Sequence, residues 1–220
     1  MRIFCDFDGT ISTQDTTDLV LSHLADPAWE AIEDDWIAGR VDAATCMRLQ
    51  IAEVRGSLGA IEAVLDRVSL RPGFTDFVGW ARRRGTPLAI VSDGVEQFIH
   101  HVLTRHGLGD APVFANRLLP AGPGRWTLDQ PWRVGGCTGG SGVCKCNILS
   151  AFDDRPLVFV GDGRSDFCVA NQPDILFATA SLEHFCRSQD IAHQPFADFD
   201  DVRAALERIS APAAPIPTFA

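Results

Sequence analysis

The chain has 220 residues, 46% of them hydrophobic, and a formal net charge of -10, with a pI near 4.9. That length is enough for one domain with a substantial buried core and a smaller attached subdomain. The acidic balance argues against a nucleic-acid or anionic-membrane surface, which would repel it, so an anionic ligand needs a local positive site.

The first apolar run, Ile3-Phe4-Cys5, stops at Asp6 and Asp8 and is far too short for a signal peptide or a membrane span, so a cytoplasmic location is expected. Seven cysteines, an odd number scattered from Cys5 to Cys186, read as reduced thiols rather than the paired framework of a secreted domain. Residues 16–24, 28–37, 43–54 and 58–68 carry helical patterns. Phe74, Phe77, Val78 and Ala81 predict a helix ending near Gly85. The next apolar run, Leu88 to Val91, precedes a helix marked by Val95, Phe98, Ile99, Val102 and Leu103. Between Val113 and Trp132, Ala121-Gly122-Pro123-Gly124 separates two short apolar stretches as in a hairpin. Leu157 to Val160 and Ile175 to Ala178 are further short apolar runs of the buried parallel type.

Strands alternating with helices predict an α/β doubly wound parallel sheet, whose ligand crevice lies beyond the carboxyl ends of its strands. The connection from the first strand to the helix at Phe74 is several times longer than a crossover needs. It predicts a helical cap over residues 14–72, inserted into a core of residues 1–13 and 73–210. Residues 211–220, rich in Ala and Pro, read as a loose tail.

Three apolar runs end in complementary polar groups: Asp6 and Asp8, Ser92, then Asp162 and Asp166. Parallel strands would bring them together. Asp6, Asp8 and Asp162 offer the hard oxygen ligands that suit Mg²⁺ with few protein contacts, and clustered carboxylates without a cation would repel. Any single Asp before a Gly is an ordinary turn residue; the shared placement carries the inference.

Asp6-Phe7-Asp8-Gly9-Thr10, Ser92-Asp93-Gly94, Lys145 and Gly161-Asp162-Gly163-Arg164-Ser165-Asp166 together resemble, in order and spacing, the four motifs of haloacid-dehalogenase-superfamily phosphatases. The cap position is similar to that of subfamily IB, whose cap is the helical C1 type. The resemblance implies a phosphatase dependent on Mg²⁺ and acting on a small phosphorylated metabolite. It makes Asp6 the nucleophile that becomes an aspartyl-phosphate, and Asp8 the acid and base whose carbonyl also meets the metal. Asp6, Asp8 and Asp162 would be metal ligands, with Asp166 holding a metal-bound water or orienting Lys145. Ser92, the amide of Asp93 and Lys145 would bind phosphate. A non-catalytic binding module on the same fold would be expected to lack Asp6 or Asp8.

Other stretches narrow the resemblance to the phosphatases of methionine salvage that act on 2-hydroxy-3-keto-5-methylthiopentenyl-1-phosphate: Pro72-Gly73-Phe74 with Phe77-Val78, Asp129 to Trp132 leading to Cys137, Cys144-Lys145, and Phe185-Cys186-Arg187. Two features depart: Asp93 stands where that family and the phosphoserine phosphatases usually have Gly, and Gly161-Asp162-Gly163 is closer to the phosphoserine type. Phosphoserine phosphatase is thus the rival, and Ala115-Asn116-Arg117-Leu118 resembles its hairpin entry. Its cap carries a Glu where this chain has the shorter Asp15, and an arginine for which Arg48, or else Gln50, is the counterpart. Trp29, Trp36 and Met47 are substrate contacts or cap core, and Arg48 and Arg55 face either substrate or solvent. Cys137, Cys144 and Cys146 flank Lys145, but they lack the second close pair of a structural zinc site and no histidine is near in sequence, so packed or loop thiols are expected. A redox-sensitive loop is the alternative.

Overall fold

The computed structural model describes residues 1–210; the expected tail lies outside the described residues. The sheet-forming elements are β1 (Arg2–Cys5), β2 (Leu88–Val95), β3 (Val113–Gly122), β4 (Arg125–Asp129), β5 (Leu157–Gly161), β6 (Ile175–Ala178) and β7 (Gln194–Pro195). They form one sheet in the order β4-β3-β2-β1-β5-β6-β7, parallel except for the β3–β4 hairpin. β1 is central, paired with β2 on one side and β5 on the other. Chain connections therefore reverse direction beside β1, and the crevice at its carboxyl end is the place where such sheets bind ligands. Each apolar run predicted as a strand is one, and the hairpin is where the turn residues put it. Strand β7 escaped prediction because two residues, one of them Pro195, carry no period.

Four helices fill the long first connection: α1 (Thr16–Leu24), α2 (Ala28–Ile37), α3 (Ala43–Glu53) and α4 (Leu58–Leu65). The side chains of Asp15, Asp42 and Ser57 cap α1, α3 and α4 by accepting main-chain N–H bonds, which explains why these helices begin where they do. The core is completed by α5 (Phe74–Arg83), α6 (Glu96–Arg105), α7 (Lys145–Ser150), α8 (Ala180–Ser188) and α9 (Phe199–Ser210).

Two apolar layers cover the two faces of the sheet. One joins Phe74, Phe77, Phe98, Val102 and Phe199 with Val20, Leu21, Ile61 and Leu65 of α1 and α4. The inserted helices thus share a core with the sheet instead of enclosing their own. The other packs Phe4, Val91, Leu149, Phe159 and Leu182. Each such buried side chain contributes about 1.5–3 kcal/mol relative to exposure. Between α4 and α6, His101 hydrogen-bonds Asp66 at 2.9 Å. Among the described residues no helix is long and apolar enough to cross a membrane.

Candidate active site

The register of the three central strands sets Cys5 beside Ile90 and Val160, so the polar residues that follow each of them emerge at one edge. Asp6 continues the ladder, its N–H donating to the Val160 carbonyl at 2.9 Å. One carboxylate oxygen accepts from the Phe7 N–H at 2.7 Å, and the other lies 2.9 Å from Lys145 Nζ. Lys145, the first residue of α7, is fully buried. Its ammonium also donates to Asp166 at 2.5 Å and to Ser165 Oγ at 2.9 Å. The second oxygen of Asp166 accepts the N–H groups of Asp162 and Gly163. Asp166 therefore does two things: it aims Lys145 at Asp6 and it fixes the turn that carries Asp162.

Burial alone would strip the proton from Lys145, but Asp166 and Asp6 outweigh it and push its pKa above the ordinary value. The carboxylates are less well served. Oxygens of Asp6, Asp162 and Asp166 lie within 4.8 Å of one another. Burial, and then the Asp166 charge, push Asp6 well above the usual carboxylate range. Burial is also the main cause lifting Asp162 to about 6. Three carboxylates facing one ammonium leave the cluster short of positive charge. A hard divalent cation the size of Mg²⁺ fits that deficit, with oxygen donors on Asp6 and Asp162. Thr10 holds Asp162 in place through a 2.6 Å hydrogen bond.

Asp8 is turned toward the cap. Its carboxylate accepts both the N–H and the hydroxyl of Thr16, at 2.8 and 2.7 Å, and so sits at the N-terminus of α1, where the helix dipole favours an anion. Burial, followed by the charge of Asp15, nevertheless raises its pKa well above the usual range. Two glycines make room for these acids. A side chain on Gly9, whose φ is +74°, would collide with Asp162, and one on Gly94 would meet Asp8 at 2.5 Å and Ser92 Oγ at 3.0 Å. Gly94→Ala is accordingly expected to push Asp8 or Ser92 from its present position, and a structure of the variant with both unmoved would show that this close approach is tolerated.

Ser92 is buried, and its Oγ accepts the Gly94 N–H at 3.0 Å. The Asp93 carboxylate is held by the loop before α7 and by β3. It accepts the Val143 N–H at 3.0 Å and an Asn116 amide hydrogen at 3.3 Å, clamping the loop before α7. This gives the departure from glycine at that position a physical reason.

Asp6, Asp8, Ser92, Asp93 and Asp162 line a cleft of roughly 510 Å³ whose far wall is the inserted helices. Asp15, Gln50, Trp36 and Met47 also line it, whereas Arg48 is exposed and lies outside it, and Trp29 packs into the core. Arg55 is engaged with Glu53. Asp15 is occupied capping α1, and Gln50 donates to Glu33 at 2.7 Å. Among the described lining residues the arginine is Arg164, on the core side and stacked over Trp36.

Residues 3–171 match the haloacid dehalogenase-like hydrolases. The chain belongs to that family. This haloacid dehalogenase-like hydrolase is 36% identical over 215 residues to the 2-hydroxy-3-keto-5-methylthiopentenyl-1-phosphate phosphatase of Geobacillus kaustophilus, covering 94% of this chain and 96% of that one. It is 32% identical to the protein of the same name from Geobacillus thermodenitrificans, with the same coverage. Among solved structures, a phospho-aspartyl intermediate analogue of phosphoserine phosphatase superposes with a TM-score of 0.66 at 17% identity, over 92% of this chain and 97% of that one. A probable phosphoserine phosphatase from Vibrio cholerae reaches 0.70 at 19% identity, over 94% and 64%. At such identities these superpositions establish the shared fold.

Sequence reasoning passed over three residues of this hydrolase's site. Thr16 reads as the start of a helix, and nothing in the chain ties it to Asp8. Arg71 donates to the carbonyls of Gly9 and Thr10, bracing the turn after β1, yet it stands alone in sequence. Ser165 was quoted only as part of a motif, and its bond to Lys145 is visible only in the fold.

Proposed function

We propose that this phosphatase is a magnesium-dependent phosphomonoesterase acting through an aspartyl-phosphate on Asp6. The substrate we infer is a small metabolite, 2-hydroxy-3-keto-5-methylthiopentenyl-1-phosphate, turned over in the cytoplasm. The observation that carries the chemistry is Asp6 at the floor of the cleft, 2.9 Å from a buried ammonium and two residues from an acid with raised pKa.

In this reading Asp6 attacks phosphorus in line and the ester oxygen leaves, so one difficult displacement becomes two easier ones. Protonated Asp8 gives its proton to the leaving oxygen, then as carboxylate takes one from the water that hydrolyses the acyl phosphate. Lys145, the Ser92 hydroxyl and the amide of Asp93 neutralise and orient the phosphoryl oxygens, which is most of what phosphoryl transfer requires of a protein. The carboxylates of Asp6 and Asp162 and the carbonyl of Asp8 would hold Mg²⁺, whose contribution when bound is charge neutralisation at the phosphoryl group. Residues 14–72 act as the cap that closes the cleft and chooses the substrate.

The substrate reading rests on the names of the relatives and on the character of the cap wall. That wall offers Trp36, Val41 and Met47 to an apolar tail and Asp15, Asp18 and Glu33 to solvent or hydroxyls. The inserted helices contribute no arginine to the described lining, the one there being Arg164 of the core, and this counts against a cap-borne grip on the carboxylate of phosphoserine. The test is phosphate release with Mg²⁺ across the methionine-salvage ester, phosphoserine and several sugar phosphates. We expect the highest kcat/KM for the salvage ester, and reversible loss of activity with EDTA. Preference for phosphoserine would overturn the reading of the cap, and EDTA-resistant turnover would overturn the metal. Asp8→Asn should lower kcat by about 10²–10⁴-fold, the usual worth of a positioned acid or base, measured in steady state and in a burst. Unchanged rates in both phases would remove Asp8 from the mechanism.

A further inference from the structure

The loop between β4 and α7 holds a cluster of thiols that the phosphatase chemistry does not use. Cys146 Sγ lies 3.8 Å from Cys137 Sγ and 3.2 Å from Cys144 Sγ, and ligand atoms of all three fall within 4.8 Å of one another. The sequence alone gives only these three, without a second close pair. The fold supplies the fourth. Cys168 follows β5 and the short 3-10 turn Arg164–Asp166, and its thiol donates to the Ser165 carbonyl at 3.7 Å. It also lies where a side chain on Gly139 would touch it, at 3.4 Å. The fourth sulfur thus lies beside the loop that carries the close cluster of three, and a side-chain rotation would bring it in.

A tetrahedral tetrathiolate site with Zn–S of about 2.3 Å spaces its sulfurs about 3.8 Å apart. The Cys137–Cys146 distance of 3.8 Å matches that, the Cys144–Cys146 distance of 3.2 Å is shorter, and both are well beyond the ~2.05 Å of a disulfide. All seven cysteines are free, so no sulfur of the cluster is spent elsewhere. Soft thiolates in this number and arrangement select Zn²⁺ over the hard cation suited to the aspartate cluster.

We propose that Cys137, Cys144, Cys146 and Cys168 form a structural zinc site that pins the active-site loop. Each thiol releases its proton to solvent as it ligates. The position gives the site a purpose. Cys144 is the N-cap of the helix that Lys145 opens, so two ligands flank the buried lysine. Thr138, Gly139, Gly140 and Ser141 line the cleft. The same loop reaches the cap: the Gly140 carbonyl accepts the Ala44 N–H at 2.9 Å, and Arg133 pairs with Asp42 at 2.6 Å. Cys168 ties all of this to the turn that carries Asp166.

The test is metal analysis of the full chain, purified under reducing conditions without a metal-affinity step, followed by exchange of the bound metal for Co²⁺. We expect about one zinc per chain and, with Co²⁺, sulfur-to-cobalt charge-transfer bands with the visible spectrum of a tetrahedral site. Co²⁺ on the aspartate cluster has no sulfur ligand and gives no such bands. Cys168→Ser should weaken zinc binding by at least about 10–100-fold, the cost of losing even an outer-sphere partner, in competition with a chromophoric chelator. Failure of the reduced wild-type chain to bind either metal at sulfur would overturn the proposal. So would a Cys137–Cys146 disulfide in the freshly isolated protein, or zinc affinity unchanged by Cys168→Ser.

Discussion

Asp6→Asn is expected to reduce turnover by on the order of 10⁵-fold, the scale seen when the nucleophile of a covalent mechanism is removed, while the protein still folds. An amide cannot attack phosphorus, and no other carboxylate reaches the same point. Asp8 is held by Thr16, and Asp166 is fully buried and committed to Lys145 and two main-chain N–H groups. The carbonyl oxygen of the new side chain can still accept the Phe7 N–H that Asp6 accepts now. Its amide must face the Lys145 ammonium, an unsatisfied polar contact that costs about 1–3 kcal/mol. Lys145 keeps Asp166 as its counter-ion, so the loss falls short of unfolding a domain with ordinary stability. Urea denaturation and steady-state kinetics on the same preparation separate the two effects. Residual activity above about one per cent, free of wild-type contamination and of deamidation back to Asp, would argue for another nucleophile.

Lys145→Met should be worse for the fold and less severe for catalysis. Methionine matches the length of the buried stem but leaves Asp6 and Asp166 without the ammonium that both contact. Breaking a buried ion pair by removing one partner costs about 3–5 kcal/mol because the remaining charge is stranded. Here two carboxylates are stranded together, so the penalty should reach the upper part of that range. Added Mg²⁺ should restore part of the lost stability, because it supplies positive charge to the same cluster. The phosphoryl oxygens lose a donor as well, so kcat should fall by about 10²–10³-fold, the cost of losing one such group. A variant that melts like the wild type with or without Mg²⁺ would mean that the acids are not held by Lys145.

The sheet was legible in the sequence because its strands are short apolar runs buried on both faces, punctuated by the acids at their ends. The inserted helices were legible because their residues carry helical patterns and because the first connection is too long for a crossover; the caps Asp15, Asp42 and Ser57 came to light in the structure. Asp6, Asp8, Ser92, Asp162 and Asp166 were placed near one another by strand parity alone, since each closes a run that must lie parallel to β1. Lys145 has no such marker. It comes from a helix of six residues, and its burial depends on the fold around it. The role of Asp93 was hidden for a related reason: its carboxylate answers to Val143 and Asn116, fifty and twenty-three residues away by the same bonds. Arg48 and Gln50 were alternatives in the sequence. Their offsets in the cap helix suggested a contact, and the rotation of α3 turns Cys46, Met47 and Gln50 toward the cleft and leaves Arg48 outside. Cys168 could not be joined to the other thiols from sequence, since the strand β5 and a turn intervene.

The most direct test of the mechanism is to trap the phosphoenzyme. Asp8→Asn mixed with Mg²⁺ and a phosphomonoester whose leaving group needs no protonation, quenched over a time course and digested, should yield the peptide containing Asp6 carrying one phosphoryl group. The label should disappear with hydroxylamine, as an acyl phosphate does, and should be missing when Asp6→Asn is combined with Asp8→Asn. Phosphate released without label on that peptide at any time, or label on a different residue, would contradict an aspartyl-phosphate at Asp6.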